Sequence, residues 1–220
     1  MQQILADPDS SDENKRAYEQ WVKQRGPAAR RRPWFHGDPT YADWVLPNHP
    51  VIGVSWSEAM AFCGWLTTDL HRRGLLGADH AIRLPTEVQW ERAARGPERR
   101  RWPWGDAWQD DAANTGQAGL AATSAVGLFP FPADGPRDLA GNVWEWTATR
   151  WGRQAGKPAY RWPLDAADSR DDPTGADLRI MRGGSWYQAP RFCRAACRGR
   201  FFPDNWGGDQ GFRVVRVSPG

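Results

Sequence analysis

The sequence predicts an α+β fold with two helices, a small sheet and much irregular loop. Three observations carry that expectation. Two helix starts are written as complete capping boxes, Ser55-Trp-Ser-Glu58 and Thr86-Glu-Val-Gln89, in which hydroxyl and carboxylate or amide close free N–H groups reciprocally. Short stretches of strand character stand at 51–54, 142–147, 179–182 and 211–217. The chain also carries 23 Gly, 18 Pro and 15 Trp, a composition of turns pinned by large aromatic anchors rather than of long regular elements.

Residues 1–47 are expected to be an N-terminal extension or an atypical start of a domain spanning 48–220. Asp7 to Glu13 is polar and acidic, Tyr18, Trp21 and Val22 fall at near-helical spacing, and Gly26 to Pro33 reads as a basic loop. Val51-Ile-Gly-Val54 reads as a short buried strand. After the first capping box, Ala59, Phe62, Cys63, Leu66 and Leu70 share one helical face, and Gly74 is a suitable stop. After the second, Trp90, Ala93 and Ala94 line an inner face before Gly96-Pro97 ends the helix. Loops follow at Trp102-Pro-Trp-Gly-Asp106, Asn114-Thr-Gly116 and Gly127-Leu-Phe-Pro130. In the strand-like Asn142–Thr147, Val143 and Glu145 point one way, Trp144 and Trp146 the other. No internal repeat is evident.

Composition narrows the function classes. The formal charge is only +3 and arginines are spread along the chain, so no nucleic-acid surface is expected; Arg30-Arg31-Arg32 and Arg99-Arg100-Arg101 read as solvated loops. No apolar run nears the roughly 18 residues of a membrane span. No charged-then-apolar leader is visible, which makes a cytoplasmic location the default expectation. Cys63, Cys193 and Cys197 cannot all pair with one another and read as reduced, buried thiols.

The last forty residues are the most informative. A frame of Gly, Arg, Pro and Asp encloses positions filled in no consistent chemical pattern: Tyr187, Ala189, Phe192, Cys197, Gly199, Phe201, Phe202, Gly207 and Asp209. Frame residues fix the backbone, and the positions between them are free to face a ligand. Trp206 joins Tyr187, Phe201 and Phe202 as a hydrophobic anchor of such a surface.

Six blocks occur in a fixed order: Pro50-Val-Ile-Gly-Val-Ser-Trp56, Arg83-Leu-Pro-Thr-Glu-Val-Gln-Trp-Glu91, Trp104-Gly-Asp106, Asp138-Leu-Ala-Gly-Asn-Val-Trp-Glu-Trp146, Arg182-Gly-Gly-Ser-Trp186 and Gly211-Phe-Arg213. Over roughly 48–217 the chain thereby resembles the formylglycine-generating, or sulfatase-modifying-factor, family. That resemblance implies a variant C-type-lectin architecture: a small twisted antiparallel sheet, two helices and extensive loops. The family's catalytic branch oxidises a substrate cysteine with copper held by two cysteines in a Gly-Gly-Ser-aromatic-x-Cys-x4-Cys block. Here Gln188 stands where the first cysteine is required, and Cys193 and Cys197 are separated by three residues rather than four. Copper is therefore not expected, although two thiolates would suit soft Cu(I). The iron-dependent branch needs three histidines, and His36, His49, His71 and His80 share no motif.

The resemblance implies one structural Ca²⁺, held by the carboxylates of Asp138 and Glu145 and the carbonyls of Gly141 and Val143, a hard-oxygen set. A second family site would use Asn114 and the Thr115 carbonyl, but its aspartate near Ala118 is missing. In a third, non-enzymatic branch, the variable proteins of diversity-generating retroelements, the Arg-Gly-Gly-Ser-Trp to Gly-Phe-Arg segment is a hypervariable binding surface. The residue types at the nine filler positions are all reachable from a diversified asparagine-type codon. The expected function is recognition of a protein or other macromolecule through 181–215. The alternative is a copper-dependent oxidase acting on a peptide cysteine through Cys193 and Cys197.

Overall fold

Both capping boxes close in the computed structural model of the protein, which describes residues 33, 35–129, 135–154, 156, 158–160, 165 and 168–218. Helix α1 is Trp56–Arg72: Ser55 Oγ accepts from the Glu58 N–H, and Glu58 Oε2 accepts from the Ser55 N–H at 2.8 Å. Helix α2 is Glu87–Arg95, closed in the same way by Thr86 and Gln89. Gly74, at φ +68°, turns the chain out of α1 so that the Leu75 N–H reaches the Leu70 carbonyl at 2.9 Å. A side chain there would strain the left-handed backbone.

Six short strands complete the fold: β1 (Ala81–Arg83), β2 (Trp144–Gly152), β3 (Leu178–Arg182), β4 (Gly199–Phe201), β5 (Gln210–Phe212) and β6 (Val215–Val217). β1 and β6 form an antiparallel pair of their own. The larger sheet runs β4-β3-β2-β5, with β2 antiparallel to β3 and parallel to β5. The register sets Glu145 beside Arg182 and Met181 beside both Trp146 and Gly199.

The main core lies between this sheet and α1, where Val54, Trp56, Ala59, Cys63, Ile82, Leu84, Trp144, Trp146 and Met181 pack together. The tryptophans are anchored at their polar ends as well. Trp146, 0% exposed, donates Nε1–H to the Val54 carbonyl at 2.9 Å, and Trp56 donates to the Thr147 carbonyl at 2.9 Å. Burial of these two indoles, Trp56 and Trp146, therefore leaves neither donor unsatisfied.

Several sequence expectations change. Residues 51–54 form no strand: Gly53 adopts φ +70° and donates to the Gly207 carbonyl, so the segment is held by single contacts instead of a ladder. Phe62 lies on the exposed side of α1 against Trp65 and Phe212, and Ala93 faces outward. β2 starts two residues later than expected and buries both faces, so it lacks a clean alternation. The 211–217 stretch splits at Arg213-Val214 into β5 and β6, which serve different sheets. The short helix expected around Tyr18 to Val22 and the Arg30–Arg32 run lie outside the described residues. Residues 35–47 pack as part of the domain, with Phe35, Tyr41, Trp44 and Val45 against Ile52 and Val143. Among the described residues no helix is long and apolar enough to cross a membrane.

Candidate functional site

Two arginine clamps bracket the segment that the sequence singles out. At its start, Arg182 on β3 is 0% exposed; it donates to Glu91 Oε2 at 2.5 Å, the Ala195 carbonyl at 2.8 Å and the Cys197 carbonyl at 2.6 Å. Its guanidinium lies 5.4 Å from the centre of the Trp90 ring. Glu87, at the first turn of α2, holds Arg198 through two bonds of 2.6 and 2.8 Å and sits 3.6 Å from Arg182. At the segment's end, Arg213 grips both carboxylate oxygens of Glu145, and Trp90 donates its indole N–H to the same group. Trp90 thus touches both clamps. Such pairs are stable only because each charge is met by several partners in the low-dielectric interior.

Between the clamps the chain divides into buried frame and open positions. Gly183, Gly184, Ser185, Cys193, Ala195, Pro203, Gln210 and Gly211 are buried. Gly184 is a close-approach glycine: a Cβ there would sit 2.4 Å from Cys193 Sγ. The ten nominated positions are all exposed or half-buried. Tyr187 is 54% exposed, Phe201 38% and Phe192 37%, while Ala189, Cys197, Gly199, Phe202, Trp206, Gly207 and Asp209 are half-buried.

The sheet order does not gather these positions into one cluster. Tyr187 stacks edge-on against Trp186, Trp206 meets Phe35, and Gly207 and Asp209 lead into β5. Gly199 and Phe201 lie on β4, where Gly199 rests on the Trp144 ring, and Phe202 packs against Trp151, Leu178 and Ile180. β4 and β5 are opposite edges with two strands between them, about 14 Å apart at ordinary strand spacing. Ala189 caps the 3₁₀ turn Pro190–Phe192 and Phe192 ends it, between Tyr187 and β4 in sequence. The sequence missed the partners of the first flank, Phe35, Tyr41, Trp44 and Trp186, because aromatic contacts between distant segments leave no local pattern.

Asp209 carries a pH signature. Burial raises its carboxyl above the ordinary range, so between its unfolded and folded pKa values the folded state binds more protons than the unfolded one. Its contribution to stability therefore falls as pH rises through that window. Asp209→Asn is expected to raise the thermal midpoint at pH 7, with the gain closing below the ordinary carboxylate pKa. A gain that persists unchanged at pH 3 would assign the effect to something other than ionisation.

Residues 12–218 match the family model described as the sulfatase-modifying factor enzyme 1-like domain. The chain belongs to that family. It is 32% identical to the formylglycine-generating enzyme of Bos taurus over 77% of this chain and 44% of that protein. It is 34% identical to the inactive C-alpha-formylglycine-generating enzyme 2 of Bos taurus, over 76% of this chain and 50% of that protein. The chain thus spans about half the length of these curated relatives. Among solved structures, Treponema denticola variable protein 1 superposes with a TM-score of 0.63 at 27% identity, covering 86% of this chain and 78% of that one. Sulfatase-modifying-factor relatives of this chain thus include proteins named as active and as inactive enzymes.

The sulfatase-modifying-factor resemblance describes a calcium site, which was expected here, and a copper site, which was not. For calcium, both Glu145 oxygens are engaged by Arg213, which also donates to the carbonyls of Arg137 and Asp138. Asp138 Oδ2 accepts the Gly127 N–H at 2.7 Å. The two carboxylates of the expected set, Asp138 and Glu145, are thus already engaged as placed, Glu145 by a guanidinium, which does not fit a Ca²⁺ ligand. At the second position Asn114 Oδ1 is buried without a hydrogen-bond partner, but one oxygen is far from a shell of six to eight. No group of three or more His, Cys, Asp or Glu side chains among the described residues is arranged to hold a metal.

For copper, counting along the Gly-Gly-Ser block corrects the register. The second cysteine position falls on Cys193 itself, with only the first replaced by Gln188, and Cys197 lies outside the block. Burial pushes the Cys193 thiol up to about 12 and raises that of Cys197. Both are protonated thiols at neutral pH, a poor start for a thiolate metal site.

Proposed function

We propose that the protein is a non-enzymatic binding module that engages a macromolecular ligand through the two flanks of its 187–209 surface. On this reading it is a variable protein of the kind diversified by retroelements. The observation that carries the reading is the division of labour between the clamps: eight frame residues are buried, whereas none of the nominated positions is, with Tyr187, Phe192 and Phe201 exposed and the other seven half-buried. Exposed Tyr and Phe beside Gly and Ala supply large rigid anchors next to clearance, as a paratope requires. Two flanks about 14 Å apart suit an extended interface of roughly 800 Å² per partner better than a small-molecule pocket. The likeness to a solved variable protein supports the same reading.

The test separates display from core. Replacing Tyr187, Phe192 and Phe201 together by serine is expected to change unfolding free energy by no more than about 1.5 kcal/mol, because a solvent-facing change usually costs at most about 0.5 kcal/mol. Three core aromatics would instead cost several times the roughly 3–5 kcal/mol of a single aromatic deletion. A library randomised at the exposed positions Tyr187, Phe192 and Phe201 and selected against an arbitrary folded protein, such as lysozyme, should yield binders of little-changed thermal midpoint. A library that collapses in stability before it binds anything defeats the proposal. The flanking DNA should hold a near-identical copy of this coding segment and a reverse transcriptase gene.

A further inference from the structure

The Arg99-Arg100-Arg101 run is more than a solvated loop. The fold brings to it Arg95, from the last turn of α2, and Arg194, from the segment between the clamps. These five arginines, with Asp106, Ala196 and Cys197, line an open cleft of about 460 Å³. Among the described residues Asp106 is its only acidic lining residue, and one of its oxygens already accepts the Arg101 backbone N–H at 2.7 Å. Arg95 is partly spent on Glu91 at 2.7 Å and on the Arg99 carbonyl at 3.1 Å. Arg100 reaches Glu98 only at 3.7 Å, and Arg194 bonds the Arg191 carbonyl. Among the described residues, Arg99, Arg101 and Arg194 form no ion pair with a carboxylate.

Like charges at this density repel one another, and the repulsion is relieved only by a ligand that brings several negative charges at once. The guanidinium fork matches phosphate oxygens bidentately, and Arg pairs with phosphate more strongly and directionally than a point charge does. The cleft is polar-rimmed and open, and its volume lies in the range of small-ligand sites. We propose that it binds a multiply charged phosphate ligand of diphosphate or triphosphate size. The proposal does not rest on the recognition reading: of the nominated positions the cleft shares only Cys197, beside the intervening Arg194 and Ala196.

The experiment is calorimetric titration of the full chain with tripolyphosphate, pyrophosphate, ADP and orthophosphate at low ionic strength. Tripolyphosphate is expected to bind one to one, at least tenfold more tightly than orthophosphate. Arg99→Ser with Arg194→Ser should weaken it tenfold or more while leaving the thermal melt unchanged, since both side chains are exposed. Arg72→Ser with Arg73→Ser, which removes the same charge from the exposed end of α1, should alter affinity less than twofold. Equal binding of pyrophosphate and ADP assigns the affinity to the phosphates. The idea is overturned by absence of binding at millimolar tripolyphosphate, by an unaffected cleft variant, or by an equal loss in the α1 control.

Discussion

Arg182→Ala is expected to lower unfolding free energy by about 3–5 kcal/mol, the cost of stripping one partner from a buried charge network. The guanidinium is fully enclosed, and burial pulls its pKa below the ordinary value while Glu87 and Glu91 oppose that pull. Without it, Glu91 loses its 2.5 Å partner, and the Ala195 and Cys197 carbonyls lose their donors. Arg182→Lys should recover little, because one ammonium cannot serve these separated acceptors with a planar fork. Guanidinium chloride unfolding checks this through the midpoint at constant slope. A loss below about 1 kcal/mol would show that the network behaves as a surface ion pair.

Gly141→Ala is the second large effect. Gly141 adopts φ +74°, and an added Cβ would lie 2.1 Å from the Asn114 carbonyl oxygen and 2.8 Å from its carbon. That neighbour is backbone and cannot swing aside: the Asn142 N–H donates to the same Asn114 oxygen at 2.8 Å, and the Gly141 N–H donates to the Gly183 carbonyl at 2.8 Å. The left-handed penalty of about 1–2 kcal/mol adds to an overpacking cost of about 1–3 kcal/mol. Gly119→Ala is the matched control, since Gly119 shares a positive φ of +71° but has open space around its Cβ position. Thermal melts of the two variants should separate clearly, with Gly119→Ala losing only the conformational part. Equal losses would mean that the Asn114 contact relaxes.

The parts of the fold that were legible in the sequence are those specified locally. Each capping box names its own partners within four residues, so both helices and their stops could be read directly. β1 and β4 are three residues long and carry no alternation, and only their distant partners Val217 and Met181 make them strands. The candidate surface could be read because its frame residues recur in recognisable blocks. Its division into two flanks could not, since that follows from β3 and β2 lying between β4 and β5. Glu145 shows the limit most plainly. A carboxylate in its block reads equally as a cation ligand or as an arginine partner, and only the fold brings Arg213 to it. The arginine cleft was hidden for the same reason, because Arg194 is remote in sequence from the run it joins.

The clamps and the single hydrogen bonds between them have an entropic consequence. From Arg182 to Arg213 the backbone is tied down repeatedly: Gln188 by Gly116, Ala195 by Arg101, Pro203 by Ser57, Gly207 by Gly53 and Asp209 by Trp144. The longest span between these ties, from Ala195 to Pro203, is itself held midway by the pairing of β4 with β3. Closing such short loops costs little once the rest is folded, and that cost falls on folding. Fixing a residue's backbone on binding would otherwise take about 1–2 kcal/mol each. A partner meeting this segment has only side-chain rotamers left to immobilise, about 0.5–1.5 kcal/mol for each long one. An irregular stretch of chain with little regular structure thereby behaves, at the moment of encounter, as a rigid body.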